Sequence, residues 1–148
     1  MRYYRYEITA QKRFVCEAPA TKLASPADCV AYLRNVAKLD TYPQERFIVV
    51  YLSAKLKPVG YETVSIGGIN ASFAHPREVF RGAILNNAYS IIVAHNHPSG
   101  DPTPSGTDID TSRTLKSAGE VIGISVLDHI IIGEDDYYSL REHHIVFG

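Results

Sequence analysis

An α/β domain built on a mixed sheet is the fold class this sequence predicts, and three observations carry that expectation. Stretches with apolar residues at helical spacing alternate with short, nearly continuous apolar runs of strand length. The 148 residues are the usual size of one domain and can bury a core. Hydrophobic residues make up 45% and charged residues 21%, the balance of a globular chain rather than a disordered one.

The elements follow in order. Residues 1–24 read as a tail or outlying strand, and residues 25–148 as one domain. The opening RYYRYEI is rich in Tyr and Arg and could stack on nucleic-acid bases, but a strand or frayed lead-in is the simpler reading. SPAD starts a helix: Ser25 caps it, Pro26 suits its first position and Asp28 completes a capping box. Val30, Leu33 and Val36 continue at helical spacing to an end near Leu39, and TYPQE breaks the pattern. RFIVVYL, residues 46–52, is a buried-strand run, and KPVGYETVSI is its partner across a bend near Lys57, Pro58 and Gly60. GGINAS is a loop. HPREVFRGAILNNA opens a second helix, with Pro76 at its first position and Val79, Phe80, Ala83 and Ile84 as its stripe. SIIVAH is a short apolar strand. DIDTSRTLKSAG is a third helix, expected to end at Gly119. VIGISVLDHIIIG supplies one long or two short strands, and the final residues can add another.

Bulk charge narrows the function. Fifteen Lys and Arg against sixteen Asp and Glu give a net charge of −1, which supplies no general attraction to nucleic acid or an anionic membrane. Cys16 and Cys29 are isolated, without metal-type spacing, so a reducing compartment is expected. No apolar run approaches the length of a membrane span, and MRYYRYEITAQKRF lacks the apolar stretch of a secretory signal. The protein is read as cytoplasmic.

The segment HNHPSGDPTPSGTD, residues 95–108, carries the chemistry. His95 and His97 end a strand at i and i+2, so they project from one face while Asn96 turns away. Pro98 stops the strand, which places the two imidazoles at an open sheet end. Asp108 lies eleven residues beyond His97, in the first turn of the third helix, and the rigid PSGDPTP segment can fold that turn back over the strand end. Zn²⁺ accepts two imidazoles and a carboxylate, and three protein ligands leave a fourth position for water, the mark of a catalytic site. A plainer role for the same residues stands beside this one. Ser105 to Asp108 is an S-x-x-D capping box, Thr107 could equally cap the helix, and capping is compatible with chemistry.

The spacing HxHx₇Sx₂D resembles the JAMM (MPN-plus) signature, and more closely the RadC family of JAB-domain proteins. HPREVF, IIVAHNHPSG and LDHIIIG are similar to that family as well, and the likeness runs from about Ser25 to Glu142. It implies a curved mixed sheet flanked by helices, a JAB/MPN architecture of cytidine-deaminase-like form. His95, His97 and Asp108 match the metal ligands, and Ser105 the serine that helps hold a developing oxyanion. The upstream glutamate of the signature falls at Glu45, in QERFIVVYL, although a solvated glutamate ahead of a strand reads the same way from the residues alone. GGIN is looser than the family's usual turn. Relatives often carry an extra N-terminal helical region, so this sequence looks like the JAB domain standing alone.

The resemblance implies hydrolysis of an amide bond, peptide or isopeptide, with Glu45 as proton carrier and a peptide or protein tail as substrate. Two other readings remain. RadC-like proteins carry a historical DNA-repair label, though the adjacent letters HNH are not the nuclease motif of that name, whose residues stand apart. A non-catalytic scaffold is the third, disfavoured because every ligand position is filled. Among the other polar residues, His129 is expected to be packed or hydrogen-bonded between strands, Asp128 to fix a turn or backbone group, Asp101 to serve a turn, and His143 and His144 to be exposed. Ser99 and Gly100 can bend the loop over the metal.

Overall fold

A computed structural model describes residues 1–67 and 74–148. Its elements are α1 (Pro26–Asn35), β1 (Arg46–Leu52), β2 (Pro58–Ile66), α2 (Pro76–Leu85), β3 (Ser90–Asn96), α3 (Gly106–Ile122), β4 (Ser125–Ile132) and β5 (Tyr137–Ser139), with one 3₁₀ turn at Leu39–Thr41. Residues 1–24 hold no helix or strand and are exposed except for Leu23, whose N–H donates to Leu56. The loop expected at GGINAS lies outside the described residues apart from Gly67.

The strands form one open mixed sheet in the order β2-β1-β3-β4-β5. β1 runs antiparallel to both β2 and β3, β3 and β4 are parallel, and β5 returns antiparallel to β4. β3 sits in the middle, buried at every position, which is why SIIVAH reads as an unbroken apolar run rather than an alternating one. α3 is the crossover that parallel β3 and β4 require.

Alternation along the strands sorts the core into two layers. Phe47, Val49, Ile91, Val93, Val126 and Ile131 face α2 and α3, where Val79, Phe80, Ala83 and Leu115 complete the cluster. Ile48, Val50, Ile92, Ala94, Ile130 and Ile132 face α1, packing against Cys29, Val30 and Leu33. Burial of side chains this size is worth roughly 1.5–3 kcal/mol each, so a strand apolar on both faces is driven to the centre.

Helix starts follow the sequence closely. Ser25 and Asp28 form the reciprocal capping box of α1, and Pro76 takes the first turn of α2 behind His75, whose ring accepts from Arg77 N–H. Helix ends do not. α1 stops at Asn35, ahead of the expected end near Leu39, and Leu39 opens the 3₁₀ turn instead. Gly119 does not end the third helix. It lies inside α3, buried, where an added Cβ would stand 2.5 Å from the Ile124 carbonyl oxygen and 3.3 Å from Phe80 and Val126, and Gly123 at φ 85° is the cap. Val121 and Ile122 therefore finish a helix rather than start a strand, and the following run forms the single strand β4. The glycine makes room for the chain as it turns from α3 toward β4 and for Phe80 and Val126 beside it, a role that local sequence does not distinguish from a stop signal.

Candidate metal centre

The C-terminal ends of β3 and β4 and the N-terminus of α3 meet at one edge of the sheet, the place where parallel α/β units leave a crevice. His95 lies in β3, paired with Phe47 on one side and Ile131 on the other. His97 follows the strand, yet its N–H still donates to Ile132 C=O at 2.9 Å, so the ladder holds it in line. The two rings lie on the same face with centroids 4.8 Å apart. Phe47 stacks on His95 at 6.0 Å and closes one wall.

Asp108 arrives from the first turn of α3. Ser105 is the N-cap: its hydroxyl accepts from Asp108 N–H, and Asp108 Oδ2 accepts from Ser105 N–H at 2.9 Å. Ser105 rather than Thr107 thus caps the helix. The same carboxylate reaches both imidazoles, with Oδ1 at 3.3 Å from His95 Nε2 and Oδ2 at 3.3 Å from His97 Nε2. Capping and convergence on the histidines are therefore one arrangement. A hydroxyl that accepts one hydrogen bond keeps its own proton to donate, so Ser105 Oγ can still serve a second acceptor.

Glu45 immediately precedes β1, with its Oε1 3.6 Å from His95 Nε2. Its flanks are fastened by backbone hydrogen bonds. Gly67 N–H donates to Glu45 C=O at 2.7 Å. The Asn96 side chain holds the rest: Oδ1 accepts from Arg46 N–H at 2.7 Å, and Nδ2 donates to Tyr42 and Gln44 carbonyls, each at 3.1 Å. Arg46 stacks its guanidinium over the Tyr42 ring at 3.6 Å. Together these contacts fix the approach of the chain to the Glu45 carboxylate.

One donor atom from each of Glu45, His95, His97 and Asp108 lies within 4.8 Å of the other three. The tighter three fit a small cation. His95 Nε2 and His97 Nε2 are 2.9 Å apart, with Asp108 Oδ1 3.3 Å from the first and Oδ2 3.3 Å from the second, so the carboxylate straddles the two nitrogens at distances near the roughly 3.3 Å that ligands of a small tetrahedral ion keep. Glu45 stands at the longer distance, suited to a neighbour of the ion rather than a fourth ligand. Charge agrees. Burial acts to raise the Asp108 pKa, but hydrogen bonds from His95 and His97 outweigh it and hold the carboxyl well below the carboxylate range. The hydrogen bond to Asp108 raises His97, against partial burial. The pocket thus holds an anionic carboxylate that attracts positive charge.

The backs of the rings are also occupied. His97 Nδ1 lies 2.8 Å from Asp101 C=O, a bond that places the proton on Nδ1. Asp101 uses its carboxylate on Thr103 N–H and Oγ1–H, the turn role its setting foretells. Gly100 at φ 90° lets the loop double back, and its carbonyl accepts from Glu134 N–H. His95 Nδ1 lies 2.7 Å from His129 Nε2, and His129 Nδ1 lies 2.5 Å from Ser112 Oγ. Complete burial drives the His129 pKa well below the histidine range, so its ring is neutral. Asp128 accepts from Ser139 Oγ and from the N–H groups of His129 and Arg141, which anchors the turn after β5. His143 and His144 are exposed, although the His143 ring stacks on Tyr138 at 3.9 Å.

Sequence reasoning brought forward the residues that converge, and His129 as hydrogen-bonded between strands, but not which groups brace which. Asn96 reads there only as turned away, and Ser112 does not figure at all. A signal exists for Ser112, which lies one helical turn beyond Asp108 and so shares its face. A groove of about 370 Å³ opens beside His97 between Tyr42, Pro43, Pro98 and Glu134. A larger cavity, about 800 Å³, lies between the N-terminal segment and the β2–α2 side and includes none of the four converging residues, so size does not mark the chemistry here.

Comparison with known proteins comes to the same place. A family model described as RadC-like JAB domain matches residues 23–145. A UPF0758 protein of Desulfitobacterium hafniense is 52% identical over 137 residues, 91% of this chain and 60% of the relative. One from Methanosarcina mazei is 42% identical over 141 residues, 95% of this chain and 61% of the relative. A third, from Geobacillus sp. WCH70, is 47% identical over 120 residues, covering 81% and 52% respectively. The chain thus spans between half and about three fifths of the length of these relatives.

Proposed function

This chain belongs to the RadC-like JAB domain family, and from that premise we propose that it is a zinc-dependent hydrolase of amide bonds, peptide or isopeptide. One observation carries the reading: His95 Nε2 and His97 Nε2 stand 2.9 Å apart, each 3.3 Å from one oxygen of the Asp108 carboxylate, with the Glu45 carboxylate beside them. Two nitrogens and one oxygen are a donor set that Zn²⁺ accepts, and three protein ligands are the number found at catalytic zinc. A zinc ion there would supply Lewis acidity, polarising a carbonyl oxygen and lowering the pKa of a coordinated water toward about 7.

The chain's own groups supply the rest. Glu45, held by Gly67 and by the Asn96 fastening of its neighbours, accepts the proton of the attacking water and returns it to the leaving amine. Ser105, whose oxygen is already oriented by Asp108 N–H, donates its hydroxyl proton to the oxygen on which negative charge develops, an interaction typically worth about 3 kcal/mol. In this reading the groove beside His97 takes the peptide segment on one side of the scissile bond.

The test has two arms. Elemental analysis of the purified protein is expected to give about one zinc per chain, as three ligands of this type predict. A library of peptide and isopeptide tails is then expected to be cleaved by the zinc form and not after chelation. Absence of bound zinc at neutral pH defeats the metal-centre reading; zinc without any amide cleavage defeats the hydrolase reading alone.

A further inference from the structure

We infer that His129 and Ser112 are positioning residues that decide which ring nitrogen of His95 is offered to a metal ion. The inference rests on the metal-centre reading above and deepens it. His129 lies on β4, beside His95 of β3, and Ser112 lies on α3 one turn beyond Asp108. All three side chains are closed to solvent, at 1% exposure for His95 and none for His129 and Ser112.

They form a single row. His95 Nδ1 is 2.7 Å from His129 Nε2, His129 Nδ1 is 2.5 Å from Ser112 Oγ, and Ser112 Oγ is 2.9 Å from Asp108 C=O. Protons can be placed along it in two orders. In the first, His95 Nδ1–H donates to His129 Nε2, His129 Nδ1–H donates to Ser112 Oγ, and Ser112 O–H donates to the Asp108 carbonyl. In the second, Ser112 O–H turns to His129 Nδ1, and His129 Nε2–H donates to His95 Nδ1. The first order makes three hydrogen bonds within the row; the second makes two there and a third at its far end, from His95 Nε2–H to the Asp108 carboxylate 3.3 Å away. A cation on His95 Nε2 would remove that third bond, so with metal bound the first order is the one that keeps every group of the dry row paired.

The two orders have opposite consequences. In the first, His95 carries its proton on Nδ1 and presents a bare Nε2 lone pair toward His97 and Asp108. In the second, a neutral His95 carries its proton on Nε2, where it faces those same groups and obstructs a cation. A metal-binding histidine commonly donates its other N–H to a fixed acceptor, usually a carboxylate, a carbonyl or water. Here the acceptor is another imidazole, which holds an acceptor toward His95 only while its own proton is anchored on Ser112. The chain of bonds also ends on Asp108, so one helix turn carries a candidate ligand and the group that sets the tautomer of another.

Nitrogen-15 NMR of the histidine rings in zinc-loaded, isotope-labelled wild-type protein tests this without any substitution. His129 is expected as the Nδ1–H tautomer with Nε2 unprotonated; finding its proton on Nε2 overturns the inference. Competition titration with a chromophoric chelator supplies a second readout. His129→Phe is expected to weaken zinc binding by about 10–100-fold, the range for loss of such an outer partner, and Ser112→Ala to weaken it in the same direction by less. Zinc affinities within twofold of wild type in both variants overturn it as well. If His129→Phe does not fold, Ser112→Ala and the wild-type tautomer decide the matter. Wild-type protein that binds no zinc defeats the metal-centre reading itself, an outcome separate from zinc binding that ignores His129 and Ser112.

Discussion

His95 and Asn96 are consecutive residues of β3 with opposite duties. His95 faces the α2–α3 layer, where one ring nitrogen meets Asp108 and His97 and the other meets His129. Asn96 shares the opposite face with Ala94 and Ile92, and spends its amide entirely on backbone groups of residues 42, 44 and 46. One side chain turns its ring to the converging cluster; the other gives all its polar capacity to holding the chain that bears Glu45. Period-two alternation thus lets a single strand end both form the site and brace it.

Substitutions can break this division of labour. The largest effect is expected on the chemical face: His95→Ala or Asp108→Ala takes zinc from about one per chain to essentially none by elemental analysis, since two ligands rarely retain it. Full zinc in both variants would remove the chemical face from the comparison. Next, Glu45→Gln is expected to retain zinc while amide hydrolysis falls by about 10²–10⁴-fold, the usual range for a lost general base.

A smaller effect is expected on the bracing face. Asn96→Ala strips partners from one N–H and two carbonyls and should lower stability in urea by about 1–3 kcal/mol, with zinc near wild type and hydrolysis reduced. Asn96→Asp keeps an acceptor for Arg46 N–H but sets a buried carboxylate oxygen against the Tyr42 and Gln44 carbonyls, so it should destabilise at least as much as Asn96→Ala. An Asn96→Ala protein that folds yet binds no zinc would show that the faces are not separate.

The smallest effect sharpens the electrostatics, in metal-free protein compared with His97→Gln. The folded His97 pKa lies above its ordinary 6.5, so the stability it draws from Asp108 is complete below 6.5 and is lost as pH rises through the folded value. The folded Asp108 pKa lies below its ordinary 3.8, so the same pair is present above 3.8 and fades as pH falls further. The wild-type advantage, about 1 kcal/mol for a pair of this exposure, should therefore be widest between pH 4 and 6.5 and shrink on the alkaline side. An advantage that instead grew with pH would contradict the pairing.

How much of this was legible in sequence depends on range. Helix starts were written locally, in Ser25–Asp28 and Ser105–Asp108, because a cap involves residues three apart. The histidines and Asp108 were legible because strand and helix periods fix which side chains share a face. Gly119 was misread because the reason for a glycine there is three-dimensional: the Ile124 carbonyl turns back onto it just beyond the helix, and Phe80, distant in the chain, closes on it from α2. His129 is hydrogen-bonded between strands as expected, but its partner His95 and the partners of Asn96 stayed silent for the same reason: they lie 34 and 50 or more residues away, and nothing local announces them.

Asp108 closes the N-terminus of α3 with the carboxylate that also meets both imidazoles. An engineer wishing to graft this centre onto a foreign scaffold therefore cannot copy four side chains alone. The transplant must include the capped helix start, because a carboxylate released from Ser105 would have the right chemistry and the wrong aim.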